Sequence, residues 1–338
     1  MTDSPSRRRS TPGEGPVLEP RPELGGGRST PAFALPDGAP SGLPAGLGST
    51  TIGRRRFVWG SRTFVMGILN VTPDSFSGDG LMRGNGRSGV PEARDFVAAS
   101  VDLARSMAAA GADLLDIGGE STRPGHTEVD LQAELARVVP VVAEIRRALP
   151  GMPLSIDTTK PAVAAAALDA GADLVNDVWG VTEDDALARL AAERHVPIVL
   201  MHNRLEARYT TLMAEVIADL QRAIERVLRA GVRWDDIIID PGFGFGKTAE
   251  HNLALLRELP SLAILGRPIL LGTSRKSTLG RVLDLPADQR LEATLATTAL
   301  GIAAGIDIVR VHDVRENVRT ARMADAVVRG TWPEDDAR

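Results

Sequence analysis

The sequence predicts an α/β fold, a single (β/α)8 TIM barrel that follows a disordered N-terminal tail. Three observations lead there. From about residue 64 onward, eight short apolar runs alternate with segments rich in helix formers, the pattern of parallel strands buried on both faces. Four of the helical segments stop at Gly111, Gly171, Gly231 and Gly305, just before the next apolar run. Glycine suits the left-handed residue that ends a helix. Finally, polar residues gather where the apolar runs finish, the end of a barrel strand at which chemistry is found. A doubly wound open sheet is the competitor on periodicity alone; eight units in about 270 residues favour the closed barrel.

Taken in order, residues 1–50 are dense in Pro, Gly and Ser, with Phe33 their only aromatic. Such a segment buries too little apolar surface to offset its ordering entropy. The folded domain is expected over residues 51–330. Ile52–Trp59 and Arg62–Val65, around Gly60-Ser61, read as a short hairpin leading into the first core strand. The barrel strands are expected at Val65–Asn70, Leu114–Gly118, Leu154–Asp157, Leu174–Asp177, Ile198–His202, Ile237–Asp240, Ile269–Leu271 and Ile308–Val311. Helix formers fill Ala93–Ala110, Pro161–Ala170 and Thr211–Ala230 between them.

Composition narrows the chemistry. The absence of cysteine removes thiolate nucleophiles, disulfides and Cys-based zinc sites. The five histidines are scattered without metal-ligand spacing. A formal net charge of −5 suggests neither a nucleic-acid nor a membrane partner. No apolar run is long enough to span a bilayer, and no h-region follows the basic Arg7-Arg8-Arg9 cluster. A cytoplasmic protein is the expectation.

Polar residues close almost every strand. Asn70 ends the first; Glu120, Ser121, Thr122 and Arg123 follow the second. Asp157 ends the third, Asn176 and Asp177 the fourth, His202 and Asn203 the fifth, and Asp240 the sixth. The seventh empties through Gly272-Thr273-Ser274 into Arg275 and Lys276, with Ser277 at a helix start, a corner suited to an anion. Arg310 and His312 mark the eighth. Convergence of so many polar groups on one mouth makes a site. Asp157, Asn176 and Asp240 offer acceptors to a flat, nitrogen-rich heterocycle. Arg123, Arg310 and His312 suit an anion such as phosphate, and Asn70 a hard cation such as magnesium. Each also has a local reading: Asp157 or Asp240 capping the next helix, Asn176 satisfying a loop, Arg310 pairing with Asp313. Gly242–Thr248 looks like a phosphate-binding P-loop, but that motif needs glycine at 241, where this chain has Pro241.

Seven segments carry a resemblance. They are MGILNVTPDSFS (66–77), DIGGESTRPG (116–125), SIDTTKP (155–161), LVNDVWG (174–180), IIIDPGFGFGKT (237–248), LLGTSRKSTLG (270–280) and VRVHDV (309–314). In these, and in their order, the chain resembles the dihydropteroate synthases, the folate-pathway enzymes inhibited by sulfonamides. The resemblance implies a (β/α)8 fold and the joining of 6-hydroxymethyl-7,8-dihydropterin diphosphate to para-aminobenzoate with release of pyrophosphate. It further implies that Asp157, Asn176, Asp240 and Lys276 bind the pterin. Asn70 would help hold Mg2+ at the diphosphate, with Arg310 and His312 gripping the leaving phosphates. Thr122, Arg123 and Ser277 would border the aminobenzoate. A homodimer is what the family suggests.

The incoming amine is itself a nucleophile, so no Ser-His or Cys-His pair is required. The harder task is departure of pyrophosphate, whose developing charge magnesium, Arg310 and His312 would stabilise. An electron-rich pterin would stabilise a cationic methylene, so a dissociative, SN1-like substitution is expected. One departure stands out: Gly78-Asp79-Gly80 follows Ser-Phe-Ser, where the family usually has Asp-Gly-Gly, which puts any loop contact by Asp79 in doubt. Two alternatives remain, a pterin-binding paralogue without synthase activity and a pterin methyltransferase working with a corrinoid partner.

Overall fold

The structure, a computed structural model, describes residues 47–72, 93–120, 129–180 and 185–331. It opens with an antiparallel hairpin of β1 (Ser49–Ile52) and β2 (Arg55–Val58). The reversal lies at Gly53-Arg54, not at Gly60-Ser61 as the sequence suggests. Gly53, at φ 60°, supplies the left-handed residue a tight hairpin needs. Gly60-Ser61 instead turns the chain from β2 into the barrel. β1 also begins two residues before the expected domain boundary at residue 51.

Eight parallel strands follow, each leading into helix or helical turn. They are β3 (Phe64–Asn70), β4 (Leu114–Gly118), β5 (Leu154–Asp157), β6 (Leu174–Asp177), β7 (Ile198–Met201), β8 (Ile237–Asp240), β9 (Leu270–Leu271) and β10 (Ile308–Val311). The sheet order is β8-β7-β6-β5-β4-β3-β10-β9, and a parallel bridge from Ile239 to Ile269 joins its two ends into a closed ring. The outer layer comprises α1 (Ala93–Ala109), α2 (Leu131–Ala148), α3 (Pro161–Ala170), α4 (Ala186–Arg194) and α5 (Leu212–Arg229). It continues with α6 (Ala249–Arg257), α7 (Ser277–Leu283), α8 (Leu291–Ala303) and α9 (Val314–Val328). α5 shows the logic of this layer. It buries Met213, Val216, Leu220, Ala223, Ile224 and Val227, a stripe at helical spacing, and leaves the charged residues between them half-buried or exposed. No described helix is long and apolar enough to cross a membrane.

Strand periodicity divides the side chains between two compartments. Leu115, Ile117, Ile156, Val175, Leu200, Ile237, Ile239 and Val309 point outward and meet the helices in one large apolar cluster. Met66, Leu114, Leu174, Val199, Ile238, Leu270 and Ile308 point inward and form a second. Ile52, Phe57 and Trp59 of the hairpin join this inner cluster, so β1 and β2 plug the N-terminal end of the barrel. Phe57 and Phe64 pack at 4.8 Å between ring centroids, and Trp59 meets Phe64 edge-on at 5.6 Å.

Candidate active site

Two residues further along these strands the interior turns polar. Asp116 follows Leu114, Asn176 follows Leu174, Asp240 follows Ile238, and Arg310 follows Ile308. Asp116, Asp157, Asn176 and Asp240 are all buried. The polar layer therefore sits directly on the apolar floor, at the C-terminal end of the barrel.

Arg310 organises this layer. Its Nε donates to Asp116 Oδ2 and its Nη2 to Asp157 Oδ2, both at 2.6 Å. The pairing with Asp313 that the sequence allows does not occur; Arg275 takes that carboxylate instead, at 2.6 and 3.1 Å. Asp116 Oδ2 also accepts from Asn176 Nδ2 at 3.0 Å, so one carboxylate ties β10 to β6. Burial opposes the charge of Arg310, but Asp116 and Asp157 outweigh it and hold the guanidinium firmly protonated. Burial pushes Asp157 up, and Arg310 pulls it only part of the way back. Three interior acceptors have no partner among the described residues: Asp116 Oδ1, Asp157 Oδ1 and Ser155 Oγ. Unpaired buried acceptors are costly, so this layer is built to receive hydrogen-bond donors from elsewhere.

Lys276 enters from the side. Its ammonium donates to the Phe243 carbonyl oxygen and lies 4.3 Å from the centre of the Phe245 ring. Burial pulls its pKa down to about 7 against the opposing pull of Asp240, with Arg310 adding to the depression. Asp240 itself accepts from the Gly242 N–H at 2.7 Å, a turn two residues on that uses one of its oxygens; it does not cap the next helix, whose N-cap is Thr248. Burial raises Asp240, and Lys276 is the leading opposing influence. Lys276 and Asp240 are thus electrostatic partners across the mouth.

The strand-to-helix turn containing Lys276 is clasped to the next strand. His312 Nδ1 lies 2.9 Å from Ser274 Oγ, which also accepts the His312 backbone N–H at 3.2 Å. Arg275 adopts φ 58°, unusual for a residue with a side chain. Its N–H donates to Thr294 Oγ1 at 3.2 Å and its carbonyl accepts from Arg290 Nη1 at 2.9 Å. These bonds, with the grip on Asp313, hold the strained residue and thereby aim Lys276. Ser277 begins α7 and is exposed; Asn70 closes β3 beside Gly118. Thr122 and Arg123, and the Gly78-Asp79-Gly80 sequence, lie outside the described residues.

Asp157, Asn176, Asp240, Lys276 and Arg310 are thus brought together, with His312 clasped alongside. Sequence reasoning missed Asp116. Its signal was available: a carboxylate in the middle of LLDIG, two residues from an inward-facing leucine. It also left out a part-buried network just past the C-terminal ends of β4 and β5, in which Lys160 Nζ donates to Glu120 Oε2 at 2.5 Å and Glu134 Oε2 at 2.8 Å. On the opposite, N-terminal side, Arg62, Thr63, Asp113 and Asp325 line a cavity of about 300 Å3. Arg62 is already bidentate on Asp113 and Thr63 on Asp325, so these groups satisfy one another.

The Pterin binding enzyme family model matches residues 66–312. The chain belongs to the pterin-binding enzymes. This pterin-binding enzyme is 46% identical over 279 residues to a dihydropteroate synthase of Clostridium beijerinckii, covering 82% of this chain and 99% of the relative. Among solved structures, a dihydropteroate synthase of Clostridium difficile crystallised in the presence of pteroic acid is 46% identical, with a TM-score of 0.74 over 81% of this chain and 99% of that one. A Xanthomonas albilineans dihydropteroate synthase with 4-aminobenzoic acid is 39% identical, with a TM-score of 0.75 over 84% and 99%.

Proposed function

We propose that this pterin-binding enzyme is a dihydropteroate synthase, a transferase of folate synthesis that forms 7,8-dihydropteroate and pyrophosphate from the pterin diphosphate and para-aminobenzoate. The observation that carries the reading is the buried layer of unpaired acceptors, Asp116 Oδ1 and Asp157 Oδ1, beside Asn176, Asp240 and Lys276. The aminopyrimidinone edge of a pterin offers the ring and amino N–H groups such acceptors require.

In this reading Asp116, Asp157, Asn176 and Asp240 orient the pterin, and Lys276 closes over its outer edge, toward the aminobenzoate that Thr122, Arg123 and Ser277 border. The C–O bond between methylene and diphosphate breaks with its electron pair leaving on oxygen. The arylamine nitrogen then forms the new C–N bond and loses a proton. Buried carboxylates favour the cationic methylene that precedes bond formation. His312 and Arg310 serve the departing diphosphate; Arg310 spends Nε and one Nη2 proton on Asp116 and Asp157, which leaves Nη1 to donate to a phosphate oxygen. Asn70 makes no side-chain hydrogen bond to the described residues. One free carboxamide oxygen fits magnesium, which keeps waters and phosphate oxygens as its remaining ligands. Bound there, magnesium would neutralise diphosphate charge. Leu300 on α8 and Met323 and Val327 on α9, 52%, 65% and 73% exposed, support a homodimer through this pair of helices. Charged substrates that do not cross bilayers unaided support a cytoplasmic location.

The test is direct. Purified protein with both substrates and magnesium should release pyrophosphate and dihydropteroate in equal amounts, and chelation with EDTA should stop both. Pterin binding without product would reject the synthase in favour of a non-catalytic paralogue. Sedimentation at micromolar concentration checks the dimer.

A further inference from the structure

The Gly242–Thr248 stretch, with its P-loop appearance, is not accounted for by the reaction. Its lysine does not reach for a phosphate. Lys247 Nζ turns back beneath its own loop and donates to the Gly242 carbonyl at 3.0 Å, the Phe245 carbonyl at 3.1 Å and His202 Nδ1 at 2.8 Å. Burial pulls Lys247 down to about 7. His202 Nε2 faces Asp219 Oδ2 at 3.1 Å, and a carboxylate accepts, so the imidazole proton sits on Nε2 and Nδ1 accepts from Lys247. That carboxylate is fixed in turn by Arg204, 2.9 Å from Nε and 2.8 Å from Nη2. Burial and the neighbouring Lys247 hold His202 at about 4, so it stays neutral and its tautomer is set.

The upper side of the same loop carries the pterin ligands. The Phe243 carbonyl and the Phe245 ring receive Lys276. The Gly242 N–H holds Asp240, whose carbonyl accepts the His202 N–H at 2.8 Å. Gly242 leaves no slack: a Cβ there would lie 1.8 Å from the His202 carbonyl oxygen. The loop is thus a thin layer with Lys247 on one side and Lys276 on the other.

We propose that Lys247, oriented by the His202–Asp219 pair, is a positioning residue that sets loop 241–248 so that Lys276 and Asp240 meet the pterin. The proposal rests on the synthase reading, specifically on Lys276 as a pterin ligand. Its test uses the full chain and the variants Lys247→Met, Lys276→Met, their double, His202→Asn and His202→Leu. Folding is checked by circular dichroism, turnover with both substrates, and binding by titration with pteroic acid. Lys247→Met should lower kcat/KM for the pterin diphosphate by roughly ten- to a hundredfold, the loss expected when a ligand is misplaced by about 1 Å. The double variant should fall no more than about threefold below Lys276→Met alone, since both act through one contact. His202→Asn keeps an acceptor for Lys247 and should retain several-fold more activity and pteroate affinity than His202→Leu. Wild-type kinetics in folded Lys247→Met, or losses that multiply in the double, would overturn the proposal. Should Lys247→Met fail to fold, equal activities of the two His202 variants would overturn it. Wild-type turnover in Lys276→Met would instead remove the pterin assignment beneath it.

Discussion

Replacing Arg310 by Met removes the counter-ion of two carboxylates at once. The guanidinium makes two charge-assisted bonds of 2.6 Å, to Asp116 and to Asp157, and neither acid has another cation within hydrogen-bond reach among the described residues. Methionine fills most of the volume, so the loss is electrostatic. Breaking a buried pair from one side costs about 3–5 kcal/mol. At roughly 2 °C per kcal/mol for a domain of this size, the melting temperature should fall by about 6–10 °C. The deficit should also depend on pH. Without Arg310 the pKa of Asp157, already raised by burial, moves further above its unfolded value, so the folded state holds more protons and stability falls as pH rises through that window. Calorimetry at pH 5 and pH 8 should therefore show the larger loss at pH 8, and adding Asp116→Asn should recover part of it. An Arg310→Met protein melting at the wild-type temperature at pH 8 would refute Arg310 as the counter-ion of this layer.

Other outcomes follow from the same geometry. Lys276, held at about 7, loses its proton as pH rises, so kcat/KM for the pterin diphosphate should decline on an alkaline limb near pH 7. Lys276→Arg stays charged and should abolish that limb, even at lower overall activity; an unmoved limb rejects Lys276 as its source. His202, at about 4 when folded and near 6.5 when unfolded, makes the unfolded state bind the extra proton between those values. Stability from this group is present above pH 6.5 and lost as pH falls toward 4, so urea unfolding of His202→Asn should show a flatter pH slope there. Gly242→Ala, with φ 70° and a backbone oxygen 1.8 Å from the new Cβ, should cost clearly more than Gly305→Ala, with φ 94° and open space. The latter should cost about 1–2 kcal/mol; equal urea midpoints would deny the clash.

The fold was legible because barrel strands buried on both faces advertise themselves as apolar runs between helices. β4, β5, β6, β8 and β10 lie where the runs LLDIG, LSID, LVND, IIID and IVRV place them. The hairpin turn was misplaced because Gly53-Arg54 and Gly60-Ser61 are both reasonable reversals, and only pairing of Thr50 with Phe57 decides between them. In the site, residues at strand ends could be read because polarity there contrasts with the run before. Which groups pair could not. That Arg275, not Arg310, takes Asp313 depends on the left-handed backbone at Arg275, a tertiary consequence of Thr294 and Arg290 from another helix and its approach. Lys247 was hidden by a misleading motif, since a lysine after glycines says nothing about whether it faces outward or under its own loop.

The two-tier barrel interior also acts as an alignment code. Strand pairing by itself tolerates a shift of two residues, because such a shift keeps every side chain on its original face. Here it would drop Asp116 into the tier of Met66 and Leu174, or Arg310 beside Leu270, stranding a charge in hydrocarbon at a cost of several kcal/mol. The groups that wait for substrate therefore also reject wrong barrels. A variant with these acids and Arg310 all made apolar stands to gain stability, while losing the feature that distinguishes one stagger of its strands from the next.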